Sequence, residues 1–244
     1  ERTGVSKSNS RIDYSLLDQA LREDQDPIAL RSVAILDPLK LVITNFPVDH
    51  VEPCHAPRKP HAPEAGMRAV GLTREVWIER EDFKEEAEKK YFRLAPGLSV
   101  RLKNAYIVTC TGFKTDDFGK VTEVHCEYIP ESKSGTDTSG LHVKGTIHWV
   151  SVAHAKTAEV RLYDRLFQAE DPSNEDGDFK EYINPNSLQV LSKAYIEPDL
   201  ATAELGRGYQ FIRKGYFTLD TDTTAENLVF NRTVTLKDNW AKKA

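Results

Sequence analysis

The 244-residue chain has only three cysteines and one methionine, and no apolar run approaches the ~18 residues expected of a membrane-crossing helix. Cys54, Cys110 and Cys126 are odd in number and far apart, so no disulfide framework is written here and a reducing cytoplasm is the expected setting. No cationic segment followed by an apolar core opens the chain, so no secretory signal is read. The chain opens on Glu1-Arg2-Thr3-Gly4, without Met, and runs quickly into a helical pattern. It is expected to be a trimmed portion of something larger. An excess of base is also missing: 33 Lys and Arg stand against 38 Asp and Glu, a net charge of -5. That balance excludes a bulk nucleic-acid coat protein and leaves room for a focused basic groove.

A catalytic constellation is wanting too. Cys54-His55 with His61 has metal-ligand chemistry, but it sits in a Pro-rich stretch and lacks a second pair at zinc spacing. Ser151, His154 and Asp164 supply the residue types of a triad without the Gly-x-Ser-x-Gly elbow that strains a nucleophile into place. Gly206-Arg207-Gly208 lacks the third glycine and the strand-to-helix setting of a dinucleotide loop, and no phosphate loop with Gly-Lys-Ser/Thr occurs. No active site, metal ligand set or cofactor is expected in this chain.

What is present is a local concentration of positive charge. From Lys89 to Tyr106 the sequence gathers five cations (Lys89, Lys90, Arg93, Arg101, Lys103) and no acid, with Tyr91 and Phe92 among them. Phe83, Ala87 and Tyr91 recur at helical spacing behind Asp82, an N-cap candidate with Glu85 three residues on, which predicts a short helix whose last turn carries Lys89, Lys90 and Arg93. Pro96-Gly97 supplies a turn, and Leu98, Val100 and Leu102 alternate with Ser99, Arg101 and Lys103 as in a half-buried strand. A helix end and a strand face joined this way bring cations and rings together, as unstacked RNA bases and phosphates require. The same cations also suit a solvated helix C-terminus, stabilised by the helix dipole.

Elsewhere Ile12, Leu16, Leu17, Ala20 and Leu21 form one apolar stripe behind the N-cap candidates Ser8 to Ser10, the clearest helix in the chain. Ala29 to Ile35 reads as a second, shorter helix started by Pro27 and ended by Asp37-Pro38. From there the period becomes two. Strands are predicted at Leu39 to Phe46, Arg74 to Arg80, Ala105 to Cys110, Val121 to Ile129, Lys144 to Val152, Ala158 to Leu166, Ser187 to Tyr195, Tyr209 to Leu219 and Leu228 to Leu236. Pro47 to Pro63 reads as a long surface loop, and Asp117-Phe118-Gly119 as a hairpin turn. Many short strands, one strong helix and no βαβ alternation predict antiparallel barrels.

Several segments resemble the C-terminal half of the glutaminyl-tRNA synthetases. They include Leu36-Asp37-Pro38-Leu39-Lys40, Glu75-Val76-Trp77-Ile78-Glu79-Arg80-Glu81-Asp82-Phe83, Val100-Arg101-Leu102-Lys103-Asn104-Ala105-Tyr106, Gly145-Thr146-Ile147-His148-Trp149-Val150-Ser151, Val160-Arg161-Leu162-Tyr163-Asp164-Arg165-Leu166-Phe167, Gly215-Tyr216-Phe217 and Phe230-Asn231-Arg232-Thr233-Val234. They run in the family's order over almost the whole chain. The family's catalytic domain, with its ATP signatures, has no counterpart here.

The resemblance implies a mainly all-β fold of two antiparallel β-barrels, of the anticodon-binding type that is similar to a ribosomal-RNA-binding ribosomal protein, preceded by a short helical segment. It implies residues 1–35 as the end of a helical connecting domain, 36–80 plus 183–244 as a proximal barrel and 81–182 as a distal barrel. The implied function is recognition of the CUG or UUG anticodon of glutamine's tRNA, in the cytoplasm, by a monomer that binds neither DNA nor membrane. ATP and Mg²⁺ would serve the parent enzyme, and this portion alone would be inactive.

By the same resemblance Arg31, Gln210 and Arg213 match positions that read the middle letter, U. Arg93 matches one that reads the third, G. Arg101, Lys103 and Lys89 match those around the first, with Lys90 in the same anticodon-binding set. The chemistry is reasonable independently. A guanidinium can bond two acceptors on guanine in one plane, worth ~1–3 kcal/mol of discrimination, and a Gln amide both donates to and accepts from a uracil edge. Two positions depart from the family. Phe92 stands where Lys is usual, and Lys103 where bacterial members usually carry Arg. Lysine lacks the two-pronged contact, so a looser or water-mediated first-letter reading is expected, and the Phe92 ring offers a stacking surface instead. Two RNA-binding rivals share the barrel plan, the tail of a glutamyl-tRNA synthetase and a structural ribosomal-RNA-binding protein; a hydrolase with cryptic geometry is the third reading.

Overall fold

The computed structural model describes Lys7, residues 14–60 and residues 62–237. The N-cap candidates Ser8 to Ser10, Ile12 at the head of the apolar stripe, and His61 lie outside the described residues. Helix α1 (Tyr14–Ile28) carries Pro27 in its last turn. Leu21 packs against a small cluster of Ala29, Tyr216 and Val234, and Arg22 donates to the carbonyl of Thr235 at 2.7 Å. No described helix is long and apolar enough to cross a membrane.

The helix expected over Ala29 to Ile35 is instead two short strands, β1 (Leu30–Ser32) and β2 (Ala34–Ile35). Val33 and Ile35 are β-branched and buried, and residues 30–32 pair in register with 209–211, so sheet pairing overrides local propensity. The chain continues through β3 (Pro38–Ile43), β4 (Glu52–Pro57), β5 (Met67–Leu72), β6 (Glu75–Glu79), β7 (Ser99–Leu102), β8 (Ile107–Thr115) and β9 (Val121–Tyr128). It ends with β10 (Thr146–Ile147), β11 (Trp149–Ser151), β12 (Lys156–Tyr163), β13 (Leu188–Ile196), β14 (Gly208–Phe211), β15 (Gly215–Leu219) and β16 (Leu228–Val234). The predicted strands thus all contain strands, and the turn at Asp117-Phe118-Gly119 is present, with Gly119 at φ 80°, a conformation that glycine adopts without cost.

Two seven-stranded sheets form the body. One runs β1-β14-β15-β16-β12-β13-β2, the other β10-β7-β8-β9-β3-β6-β11. Each has as its two edges consecutive strands of one chain segment. Val33 alone separates β1 from β2, and His148 alone separates β10 from β11. A sheet whose edges meet at a single residue is a nearly closed barrel, which leaves little free edge to pair with another chain. Most neighbours are antiparallel, but closure brings four parallel pairs: β1 with β14, β7 with β10, β12 with β16 and β3 with β9.

Strand pairing places the boundaries between the two barrels away from the expected ones. Strands β3 and β6, expected beside the C-terminal strands, pair with β9 and β11, and β12, expected in the distal barrel, pairs with β13 and β16. The first barrel is therefore built from 30–35 and 156–234, with the second, 38–151, inserted between. The cores say the same. Leu39, Leu41, Ile43, Val76 and Ile78 bury with Val100, Val108 and Val124, whereas Val160 joins Phe211, Phe217 and Phe230. Phe211 and Phe217 stack at 4.2 Å between centroids, and Phe230 meets Phe211 edge-on at 5.3 Å. Each such ring contributes ~1.5–3 kcal/mol by leaving water.

The Pro-rich stretch is only partly a loop. Strands β4 and β5 pair from Glu52↔Leu72 to Pro57↔Met67 as a two-stranded ribbon, which tolerates Pro53 and Pro57 because each strand has only one partner. Cys54 on this ribbon is buried in the core of the second barrel, and burial pushes its thiol up to about 11. The helix expected from Asp82 to Arg93 is also absent. Phe83 is buried and bridges Leu94, while Leu94 donates to the carbonyl of Asp82 at 3.0 Å, so tertiary contacts hold residues 83–94 as a closed loop.

Glu123 on β9 lies opposite Lys40 on β3 and Lys114 on β8, with His125 two residues on. Lys114 and His125, then Lys40, outweigh burial and hold its carboxyl at about 2. A depressed carboxyl contributes stability that is present above the unfolded value near 4.5 and lost as pH falls toward 2. Glu123→Gln is therefore expected to flatten the acid limb of stability over that window, measured as urea midpoints between pH 5 and pH 2. An unchanged limb would remove Glu123 from the account.

Candidate nucleic-acid interface

The expected interface residues fall into three groups, and the first is organised by a residue the sequence presented only as a helix cap. Asp82 ends the 3-10 turn Arg80–Asp82 between β6 and the 83–94 loop, and its side chain is 0% exposed. Arg213, in the turn between β14 and β15, grips it with both arms of the guanidinium, Nη1 to Oδ2 at 2.7 Å and Nη2 to Oδ1 at 2.8 Å. Arg93 reaches the same carboxylate from the loop, with Nε 3.3 Å from Oδ1, and donates from Nη1 to the carbonyl of Glu81 at 3.0 Å. Asp82 and Arg93 belong to the second barrel's side, Arg213 to the first. A fully buried carboxylate without such partners would be untenable, so the two arginines are drawn to one point.

Arg213 also donates to Nδ1 of His148 at 3.1 Å. An arginine can only donate, so Nδ1 is unprotonated and the neutral ring carries its proton on Nε2. That atom faces Glu79 Oε1 at 3.7 Å. Glu79 accepts in turn from the backbone N–H of Leu36 at 2.8 Å and of Asp37 at 3.2 Å, where the chain passes from the first barrel to the second. Burial pushes Glu79 up, but His148, Lys214 and the Leu36 N–H prevail and hold it below the usual carboxylate range.

The second group is set by strand register. In the β1–β14 pair Arg31 lies directly opposite Gln210, three residues before Arg213. Arg31 Nη2 donates to Asp26 Oδ1 at 2.8 Å, and the Tyr216 hydroxyl donates to the same oxygen at 3.0 Å. Gln210 faces Tyr216 on the next strand. The end of α1 thereby orients Arg31, and the first two groups meet along β14 and its turn, where Gln210 and Arg213 stand three residues apart.

Arg101 and Lys103 form the third group and differ from each other. Arg101 is held by the loop after β9: Nη1 donates to the carbonyl of Ser132 at 2.6 Å, and Nη2 meets Asp137 at 2.5 Å. Lys103 is exposed, in the turn after β7, and its carbonyl accepts from Trp149 Nε1 at 3.0 Å. The shared wet face expected of a regular strand is thus broken at Lys103, where the chain turns through Asn104 at φ 61°.

Lys89 and Lys90 are exposed on the 83–94 loop, in a turn rather than a helix end. Phe92 is 49% exposed, and the Lys144 ammonium stands 4.9 Å from its ring centroid. Gly145 is required behind it, because a Cβ there would lie 1.8 Å from the Phe92 carbonyl oxygen. Tyr91 turns inward, and burial raises its hydroxyl to about 12. The structure thus joins Arg93 with Arg213 and Arg31 with Gln210, and places Lys89, Lys90 and Phe92 on the loop that carries Arg93. Asp82, His148, Asp26 and Lys144 were not singled out for these roles. No spacing in the sequence could have revealed them, since their partners lie 5 to 190 residues away.

Among the described residues no group of three or more His, Cys, Asp and Glu could hold a metal ion. Two family models match the chain, both described as tRNA synthetases class I (E and Q), anti-codon binding domain, over residues 29–129 and 146–220. Among curated proteins, it is 59% identical over 243 residues to a glutamine–tRNA ligase of Bordetella avium, covering 99% of this chain and 41% of the relative. It is 53% identical over 244 residues to that of Ralstonia pickettii, covering 99% and 42%, and 48% identical over 244 residues to that of Nitrosomonas europaea, covering 99% and 44%. The chain spans about two fifths of the length of these relatives.

Proposed function

The chain belongs to the anticodon-binding domain family of the class I E and Q tRNA synthetases, and we propose that it is the part of a glutamine–tRNA ligase that reads the anticodon of glutamine's tRNA. One observation beyond membership supports this most: Arg93 and Arg213, from opposite sides of the barrel junction, converge on Asp82 beside the Arg31–Gln210 pair. Each arginine has donors left over after these contacts, held in fixed planes where splayed base edges can meet them. Gln210 and Arg213 serve the middle letter with Arg31, Arg93 the third, and Arg101, Lys103, Lys89 and Lys90 the first letter and its phosphates.

Arg101 takes this role through whatever donors its loop contacts leave, and Lys103 through charge alone, which makes first-letter reading the loosest of the three. In the longer protein a separate domain would attach glutamine with ATP and Mg²⁺, in the cytoplasm. The names of the relatives favour glutamine over glutamate.

Filter binding with full-length tRNA tests the reading. The chain is expected to prefer CUG or UUG anticodons over a CUC variant, and Arg93→Ala to erase that preference, a change of about 1–3 kcal/mol in discrimination. Affinity is expected to fall as salt rises from low to physiological concentration. Equal binding to CUG and CUC would remove the glutamine assignment, and affinity indifferent to salt would remove RNA binding.

A further inference from the structure

Asp82 serves two arginines that come from different barrels, which is more than packing a turn demands. A carboxylate in solvent would exchange partners freely, but this one is 0% exposed and has no other charge-compensating contact of comparable geometry among the described residues. Its position is therefore fixed jointly by Arg93 and Arg213, and each arginine's position depends on where the other holds the carboxylate. Arg213 adds a second constraint: its backbone sits at φ 70°, a left-handed conformation that persists in a non-glycine residue only when its surroundings enforce it.

The surroundings are continuous. Arg213 is bonded to His148, the one residue between the two edge strands that close the second barrel. Glu79, 3.7 Å from the same imidazole, holds the 36–37 crossing between barrels by two backbone N–H groups. Lys214 bridges Glu79 to Glu81, whose carbonyl holds Arg93. The two arginines are thus members of one network anchored on the buried Asp82, His148 and Glu79, and groups that share such a network do not act additively.

We infer that Asp82 is a positioning residue that couples the readers of two anticodon letters, so that recognition of the third letter and of the middle letter are energetically dependent. This rests on the function proposed above. When the correct base engages Arg93, Asp82 is held where it presents Arg213 correctly, and a wrong base at either letter relaxes both. The cost of two wrong letters is then smaller than the product of the two single costs. Isosteric Asp82→Asn keeps the shape but removes the charge that binds both guanidinium groups, and uncouples them.

The experiment is a cycle in the RNA. Dissociation constants of the chain are measured for four tRNAs carrying CUG, CUC, CCG and CCC anticodons, and for an unrelated RNA of equal length. In the wild-type chain the CCC penalty is expected to fall short of the product of the CUC and CCG penalties by at least about threefold. In Asp82→Asn the penalties become multiplicative within about twofold, whereas a role in folding alone would lower affinity for the four tRNAs and the unrelated RNA by one common factor and leave the coupling in place. Additive penalties in the wild-type chain overturn the coupling, as does coupling that survives Asp82→Asn. The wild-type cycle decides the first point even where the variant does not fold. Absence of any anticodon preference is a different outcome, and it removes the anticodon reading itself.

Discussion

Arg68→Ala is expected to lower the free energy of unfolding by about 3–5 kcal/mol, because it strands a carboxylate in the interior. Arg68 on β5 and Glu197 just after β13 are each only 2% exposed and meet with Nε 2.6 Å from Oε2. Arg68 also donates to the carbonyl of Pro57 at 2.8 Å, fastening the ribbon to itself and to the first barrel. Nearby, Arg58 grips Asp199 with two bonds at 2.7 and 2.8 Å, but both partners are about 30% exposed, so Arg58→Ala is expected to cost only ~0.2–1 kcal/mol. Equal costs would mean that burial does not set the worth of these pairs. The pH dependence carries a sign. Burial raises Glu197 above its ordinary value despite Arg68, and a raised carboxyl contributes stability that is full below the unfolded value near 4.5 and lost as pH rises through the folded one. Removing Arg68 takes away the group that pulls Glu197 down, so the variant's deficit is expected to be larger at pH 8 than at pH 4.5 in urea melts.

That pair also marks where sequence reading runs out. Strand positions were legible because period-two alternation is local: Leu39, Leu41 and Ile43 point one way whatever lies across from them. Which strands share a barrel is not local, and neither the pattern nor the family resemblance fixed it correctly, since Leu39 packs as readily against β9 as against a C-terminal strand until closure at His148 decides. The same holds for 83–94, where helical spacing of Phe83, Ala87 and Tyr91 is real but Phe83 is worth more buried against Phe113 at 5.4 Å than on an exposed helix. The ribbon at 52–72 was hidden by its prolines. Of the candidate interface, the cations proposed as readers come from the resemblance, whereas the acids that orient them, Asp82 and Asp26, carry no signal in a chain rich in acids.

Arg213→Met is expected to be as costly as Arg68→Ala, about 3–5 kcal/mol, and for a related reason with a different consequence. It leaves Asp82 fully buried with Arg93 alone, at 3.3 Å, and leaves His148 Nδ1 without its donor. Met fills much of the volume, so the loss is electrostatic and not a cavity. Adding Asp82→Asn should therefore recover most of it, because the double variant has no charge to strand and an amide is far cheaper to bury than a carboxylate. Guanidinium unfolding would obscure an ionic effect, so urea is the denaturant of choice. A deficit that persists in the double variant would place the cost in packing at the barrel junction and not in the ion pair. The two variants also separate stability from reading: the double variant, though refolded, still lacks the Arg213 fork and, with only Arg31 and Gln210 left for the proposed reading, should bind tRNA with a reduced preference at the middle letter. Stability at this junction and the proposed selectivity for the anticodon rest on the same side chains, so a change that restores the first need not restore the second.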